Sequence, residues 1–143
     1  MPASTDLLPT VKPVVEIDGA QFSTLEAFFV HFEQVALCAR WGRNLDAFND
    51  VLRGGFGTPE GGFVLCWKNH ELSKQRLDHT ETARQLRIRL VHCHPTHIES
   101  VQAKLALALQ GEGPTVFDWL IEIIRDHSAD GAEPEDGVEL RLE

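Results

Sequence analysis

The chain has 143 residues, 43% of them hydrophobic and 24% charged, with 13 basic against 22 acidic side chains for a net charge of −9. That is enough apolar material for one domain with its own core, and it excludes a disordered chain. The acidic excess disfavours nucleic acid and anionic membrane as direct partners, because both need basic patches.

Residues 1–12 carry two prolines and little periodicity, so a flexible tail is expected ahead of a single domain over 13–143. VVEIDG (14–19) is β-branched and ends in Asp-Gly, a strand running into a turn. Ser23-Thr24-Leu25-Glu26 has the form of a capping box. Leu25, Phe28, Phe29 and Phe32 follow at helical spacing and predict a helix with one strongly apolar face. Asn44 is placed to cap a second helix that Gly54-Gly55 would end. FGTPEGG (56–62) reads as a loop, and FVLCWKN (63–69) as a central strand covered on both faces.

HELSKQRL suggests a short helix, and TETARQLRIRLVHCH (80–94) a longer one with Leu86, Leu90 and Cys93 inside. Pro95 stops that helix and starts THIESVQAKLALAL. After the GEGP loop (111–114) comes TVFDWLIEIIRDH, in which Val116, Trp119, Leu120, Ile123 and Ile124 line one face. SADGAEPEDG is a polar loop, and VELRL (138–142) alternates as a last strand. The order β-α-α-β-α-α-α-β predicts an α/β fold, a small parallel sheet joined by helical crossovers.

The stretch WGRNLDAFNDVL (41–52) raises a chemical question. At about 100° per residue, Leu45, Phe48, Val51 and Leu52 form one apolar face of its helix. Asp46, Asn49, Asp50 and Arg53 fall on the adjoining face. Asp46 sits in the first turn, where the helix dipole favours negative charge, but Asp50 is beyond that help. Two like charges four residues apart repel, so the face is either solvated or used by something outside the chain.

Trp41-Gly42-Arg43-Asn44-Leu45-Asp46-Ala47-Phe48-Asn49-Asp50 resembles the aromatic-Gly-x-Asn-Leu-Asp-Ala-x-x-Asp segment of the barstar family, small intracellular inhibitors of secreted ribonucleases. The strand and helix of 14–37, the strand bearing Trp67 and the closing helix and strand are similar as well. The likeness covers 14–69 and 115–143, and about 70–114 forms an enlarged helical segment outside it. The resemblance implies a three-stranded parallel sheet packed with helices, with extra helices in the middle of the chain. It also implies a function without catalytic residues, cofactor or metal: stoichiometric binding to the active site of a small, basic ribonuclease. Asp50 matches the position whose carboxylate would take a phosphate subsite, where it could bond Arg and His⁺. Asp46 matches a second carboxylate on that surface, Asn44 a loop-to-helix contact, and Gly42 a point of close backbone approach. Arg40, Asn49 and Arg53 complete the expected partner-binding set, with Glu122, four residues before Asp126, as a second acidic contact.

The departures define an alternative. Arg40 stands where the family pattern has a contacting tyrosine, Arg43 replaces an acid and Asn49 replaces a tryptophan. Residues 40–53 therefore carry +1, whereas 128–143 carry −5. These arginines favour a divergent barstar-fold interaction or regulatory module whose partner is not a ribonuclease, since fold does not fix function.

The remaining signals are weaker. His92, Cys93, His94 and His97 lie within six residues, but their spacing matches no zinc finger, so a histidine-bearing helix end is expected. His31, His70, His79 and His127 are dispersed among many acids, so a chance His–Asp pair is expected. RGGFGTPEGG lacks the Lys-Ser/Thr of a phosphate cradle and reads as a loop beside the acidic helix, with Phe56 as an apolar contact. Trp41, Trp67 and Trp119 are expected mostly in the core. No stretch approaches 18 uninterrupted apolar residues, and MPASTDLLPT has no basic n-region or apolar h-region. With Cys38, Cys66 and Cys93 isolated, the expectation is a cytoplasmic protein with reduced thiols.

Overall fold

Alternation of apolar residues every second position builds a small sheet, and this sheet organises the rest. The computed structural model describes residues 12–37, 41–54, 58–59 and 61–143. Strands β1 (Val14–Asp18), β2 (Phe63–Lys68) and β3 (Val138–Leu142) are parallel in the order β1-β2-β3. Val15 pairs with Leu65 and Ile17 with Trp67, while Phe63 pairs with Val138 and Leu65 with Leu140. Helices α1 (Leu25–Ala36) and α2 (Leu45–Val51) make the first crossover. The second crossover holds α3 (His70–Arg76), α4 (His79–His92), α5 (Ile98–Leu109) and α6 (Val116–Asp126). The short α3 is the helix expected from HELSKQRL, which the order β-α-α-β-α-α-α-β leaves uncounted. No helix among the described residues is long and apolar enough to cross a membrane.

The main core lies on one face of the sheet. Val15, Ile17, Phe63, Leu65, Trp67 and Val138 point into it, met by Leu25, Phe28, Phe29 and Phe32 of α1 and by Phe48, Val51 and Leu52. Aromatic rings bind these layers: Phe48 stands edge-on to Phe28 at 5.3 Å and to Phe32 at 5.1 Å, and Phe28 stacks on Trp67 at 5.6 Å. The middle strand β2 is buried on both faces, as expected, but its second face carries no apolar layer of its own. Val64 and Cys66 are buried there but join neither apolar cluster. The flanking positions Glu16, Glu139 and Arg141 are exposed, and the Lys68–Glu16 and Arg141–Glu139 pairs span this face. Long charged side chains cover apolar surface with their stems while keeping their heads in water. Burial raises the Cys66 thiol above its ordinary value.

A second apolar cluster of Ala83, Leu86, Val101 and Ala108 joins α4 to α5, with Leu90, Cys93 and Trp119 against it. Helix α6 therefore has apolar neighbours on two sides. Phe117 and Ile121 are buried beside Val116, Leu120 and Ile124, whereas Trp119 and Ile123, expected on the main face, are only partly buried. Trp119 bridges the two clusters.

Helix ends show where local signals were overruled. The N-cap of α1 is Thr24, accepting from the Ala27 N–H at 3.1 Å, rather than the Ser23 of a Ser23–Glu26 box. Glu26 turns instead to Arg84 and Gln85 of α4. The free Leu25 N–H donates to the buried Glu81 carboxylate at 2.9 Å, 56 residues away. A carboxylate at a helix N-terminus satisfies an orphan donor and the dipole together.

One helix also ties pH to stability. The Asp18 N–H donates to His31 Nε2 at 3.0 Å, which requires that nitrogen to be unprotonated. Burial lowers the His31 pKa, against the opposing pull of the Asp18 carboxylate. As pH falls, the unfolded chain takes up this proton before the folded one. Stability is therefore present above the ordinary histidine value near 6.5 and declines as pH drops through it toward the lower folded value. Urea unfolding at about pH 5.5 is expected to show less stability than at about pH 7.5, and His31→Gln should shrink that difference. An undiminished difference in the variant would assign the effect to other groups.

Candidate functional site

The α2 region is built from a tight turn and a capped, seven-residue helix. A side chain at Gly42 would be crowded: a Cβ would lie 3.1 Å from both Ala47 Cβ and Asn44 Nδ2, which would have to give by a few tenths of an ångström. Arg43 takes a left-handed φ of 50°, uncommon for a residue with a Cβ, and its guanidinium grips Glu33 of α1 with bonds of 3.1 and 2.6 Å. Asn44 then caps α2, accepting from the Ala47 N–H at 2.7 Å and donating to the Gly42 carbonyl at 3.3 Å. Thr58, buried, donates to the Val51 carbonyl and secures the other end. So short a helix depends on its cap. Asn44→Ala is expected to cost about 1 kcal/mol in denaturant unfolding, whereas Asn44→Asp, which keeps an acceptor, should remain within a few tenths.

Buried Phe48, Val51 and Leu52 confirm the apolar face, with Leu45 half-buried. Asp46, Asp50 and Arg53 are exposed on the adjoining face. Asp46 has no hydrogen-bond or ion-pair partner among the described residues. With Arg43 and Asn44 it lines a cleft of about 540 Å³ closed by Phe29, Gln85 and Arg89. Leu45 separates this cleft from another of about 560 Å³, lined by Glu122, Asp126, Ile123 and Trp119. The exposed Glu122 thus reaches the neighbourhood of the α2 entry, though across Leu45 from Asp46. Arg89 borders both clefts and lies over the Trp119 ring at 5.5 Å. Arg40 and Phe56, two expected contacts, lie outside the described residues.

The other edge of α2 meets the loop between α6 and β3, which the residue pattern alone marks as no more than polar. His127 is fully buried. Its Nε2 bonds Asn49 Oδ1 at 2.7 Å and its Nδ1 bonds Asp136 Oδ2 at 2.5 Å. Asn49, expected as a partner contact, is thereby turned inward to the loop. Arg53 donates to Glu133 twice, at 2.9 and 3.1 Å, and to Asp50 Oδ1 at 2.8 Å. The Arg53 pair holds the Glu133 carboxyl below its ordinary range, and Glu133 with Asp50 and Asp136 raises the Arg53 guanidinium. The loop folds back over Gly131, where a Cβ would lie 2.0 Å from the Arg125 carbonyl oxygen. The acidic 128–143 segment thus docks on the +1 patch through Glu133.

His127, Glu133 and Asp136 bring one metal-ligand atom each within 4.8 Å of one another. Protein partners already occupy these donors: Asp136 bonds His127, and both Glu133 oxygens face Arg53. Of the histidine-rich stretch, His92, His94 and His97 are exposed, and His94 Nδ1 accepts from the Thr96 N–H to cap a short turn. Cys93 packs on the α4–α5 cluster.

Asp46 and Asp50, with the N-cap Asn44, are exposed on a helix whose other side is locked into the core. This arrangement can present two carboxylates, about one helical turn apart, to a cationic surface. A family model described as barstar (barnase inhibitor) matches residues 12–92, from β1 through α4 and more than half of the chain. Helices α5 and α6 and strand β3 lie outside the match. No curated protein matches the chain.

Proposed function

The chain belongs to the barstar family, and from that membership we propose that it is a non-catalytic inhibitor that blocks the active site of a ribonuclease by one-to-one binding. The observation that carries this reading is the exposed pair Asp46 and Asp50 on α2. A ribonuclease must hold phosphate with Arg, Lys or His⁺, and a rigid carboxylate can take the same place with short charge-assisted bonds. Asp50 would occupy the phosphate subsite, Asp46 would support it, and Gly42 and Asn44 would shape the contact at the helix entry. Phe48, Val51 and Leu52 hold the helix against the core, so little ordering is left to binding. A net charge of −9 would steer a basic nuclease toward the protein.

The alternative, a module for a partner that is not a nuclease, draws on Arg40, Arg43 and Arg53. Arg43 and Arg53 are each bonded to carboxylates of this chain, which weakens their claim as a docking patch for an acidic partner. Calorimetric titration against a panel of small basic ribonucleases, with RNA cleavage followed in parallel, tests the first reading. One-to-one binding that stops cleavage supports it, and absence of binding and inhibition across the panel moves the assignment to the alternative. The cytoplasm, where an inhibitor would protect cellular RNA, is the compartment this reading implies.

A further inference from the structure

Arg53 stands at the end of α2 with its guanidinium divided between two carboxylates of unequal hold. Nε and Nη2 face both oxygens of Glu133 side by side, at 2.9 and 3.1 Å. Such a fork is the strong, directional form of the arginine–carboxylate contact. Nη1 alone reaches Asp50, at 2.8 Å. Glu133 is itself fixed, since its N–H donates to the Asp126 carbonyl at 2.6 Å in the folded-back loop. The carboxylate offered to a partner's cation therefore already has a cation on it, and that cation is tethered elsewhere.

We propose that Arg53 is a competitor built into the chain for the partner cation that Asp50 would receive, and that Glu133 is where Arg53 is held when Asp50 changes partners. The proposal rests on the inhibitor reading and adds the residue that sets its affinity and selectivity. A cation that offers one hydrogen bond merely replaces Nη1. A site that surrounds Asp50 with several donors gains more than Arg53 gave, so the device favours clustered, phosphate-binding cations over isolated surface lysines. Without Glu133, Arg53 turns wholly to Asp50 and competes harder.

The test uses the full chain, ¹⁵N-labelled, titrated with tri-arginine amide at physiological ionic strength, the affinity being read at the Asp50 amide. Arg53→Gln should bind the peptide roughly two- to fivefold more tightly, the range an exposed ion pair allows. Glu133→Gln should weaken binding. Arg141→Gln and Glu139→Gln, from another exposed pair, change net charge equally and serve as controls. Both effects should exceed their controls and disappear in an Asp50→Asn background. A gain in Arg53→Gln no larger than in Arg141→Gln, or one that persists with Asp50→Asn, overturns the proposal. Failure of the inhibitor reading is seen separately, as ribonucleases that neither wild type nor Arg53→Gln inhibits while the peptide result stands.

Discussion

Asp50→Ala is expected to weaken binding of the target ribonuclease by roughly 100-fold or more, as truncation of one partner of a desolvated charge pair does. That scale is the one known for charge pairs at tight interfaces, the family's archetypal complex among them, and the assignment to Asp50 is specific to this chain. The loss has two sources. The nuclease cations keep no carboxylate in the phosphate subsite, and they remain buried against a methyl group. Asp46→Ala should cost less, because its carboxylate lies in the cleft beside Asn44 and the helix dipole already favours charge there. Asp126→Ala, on α6, should change affinity by less than roughly threefold, as a rim charge does. Calorimetry and inhibition of RNA cleavage measure all three. Equal, small effects at Asp50 and Asp126 would sink the assignment of Asp50 to the centre of the interface. The folded state of Asp50→Ala is not at issue, since its side chain is exposed and bonded only to Arg53 among the described residues.

Trp67→Ala carries the largest expected loss of stability, roughly 3–5 kcal/mol. Trp67 is fully buried near the C-terminal end of the middle strand, between Phe28 at 5.6 Å and Phe117 at 5.2 Å. Its indole N–H donates at 2.9 Å to Ser73 Oγ, which is buried as well. Alanine would open a cavity shared by β2, α1 and α6 and leave that hydroxyl without its donor. Domains of this size hold only about 5–15 kcal/mol in reserve, so the variant should be marginal at 25 °C. Trp67→Phe keeps much of the ring contact and loses the hydrogen bond, so about 1–3 kcal/mol is expected. Urea unfolding with unchanged slope would check both. A loss below about 1 kcal/mol for alanine would mean that the surrounding rings close the cavity.

Much of the fold was legible because its signals are local. Leu25, Phe28, Phe29 and Phe32 recur at helical spacing and all four are buried. Asn44 caps α2 by a bond to a residue three positions on, a distance sequence can read. Position and neighbours were harder. Periodicity ranked Trp119 and Ile123 with the α6 core and passed over Phe117 and Ile121, because α6 touches two clusters and one apolar stripe cannot say which side is deeper. A capping box at Ser23 and Glu26 satisfied every local rule, yet Thr24 became the cap, and Arg84 and Gln85 of α4 took the Glu26 carboxylate. Of the candidate site, the acidic face of α2 was readable. The His127–Asn49 and Arg53–Glu133 contacts were not, since they join residues 78 and 80 apart with no shared motif.

The order of residues was enough to set the three strands, the apolar side of each main helix, the cap of α2 and the exposure of Asp46 and Asp50. These follow from side-chain periodicity and from bonds spanning four residues or fewer, which survive in almost any context. Packing in three dimensions was needed to turn Asn49 inward onto His127, to fork Arg53 onto Glu133, and to rest the acidic loop after α6 on the basic edge of α2. Those outcomes depend on which loops the sheet order brings together. A charged or polar side chain takes whichever partner is near enough to satisfy it, whatever its distance along the chain.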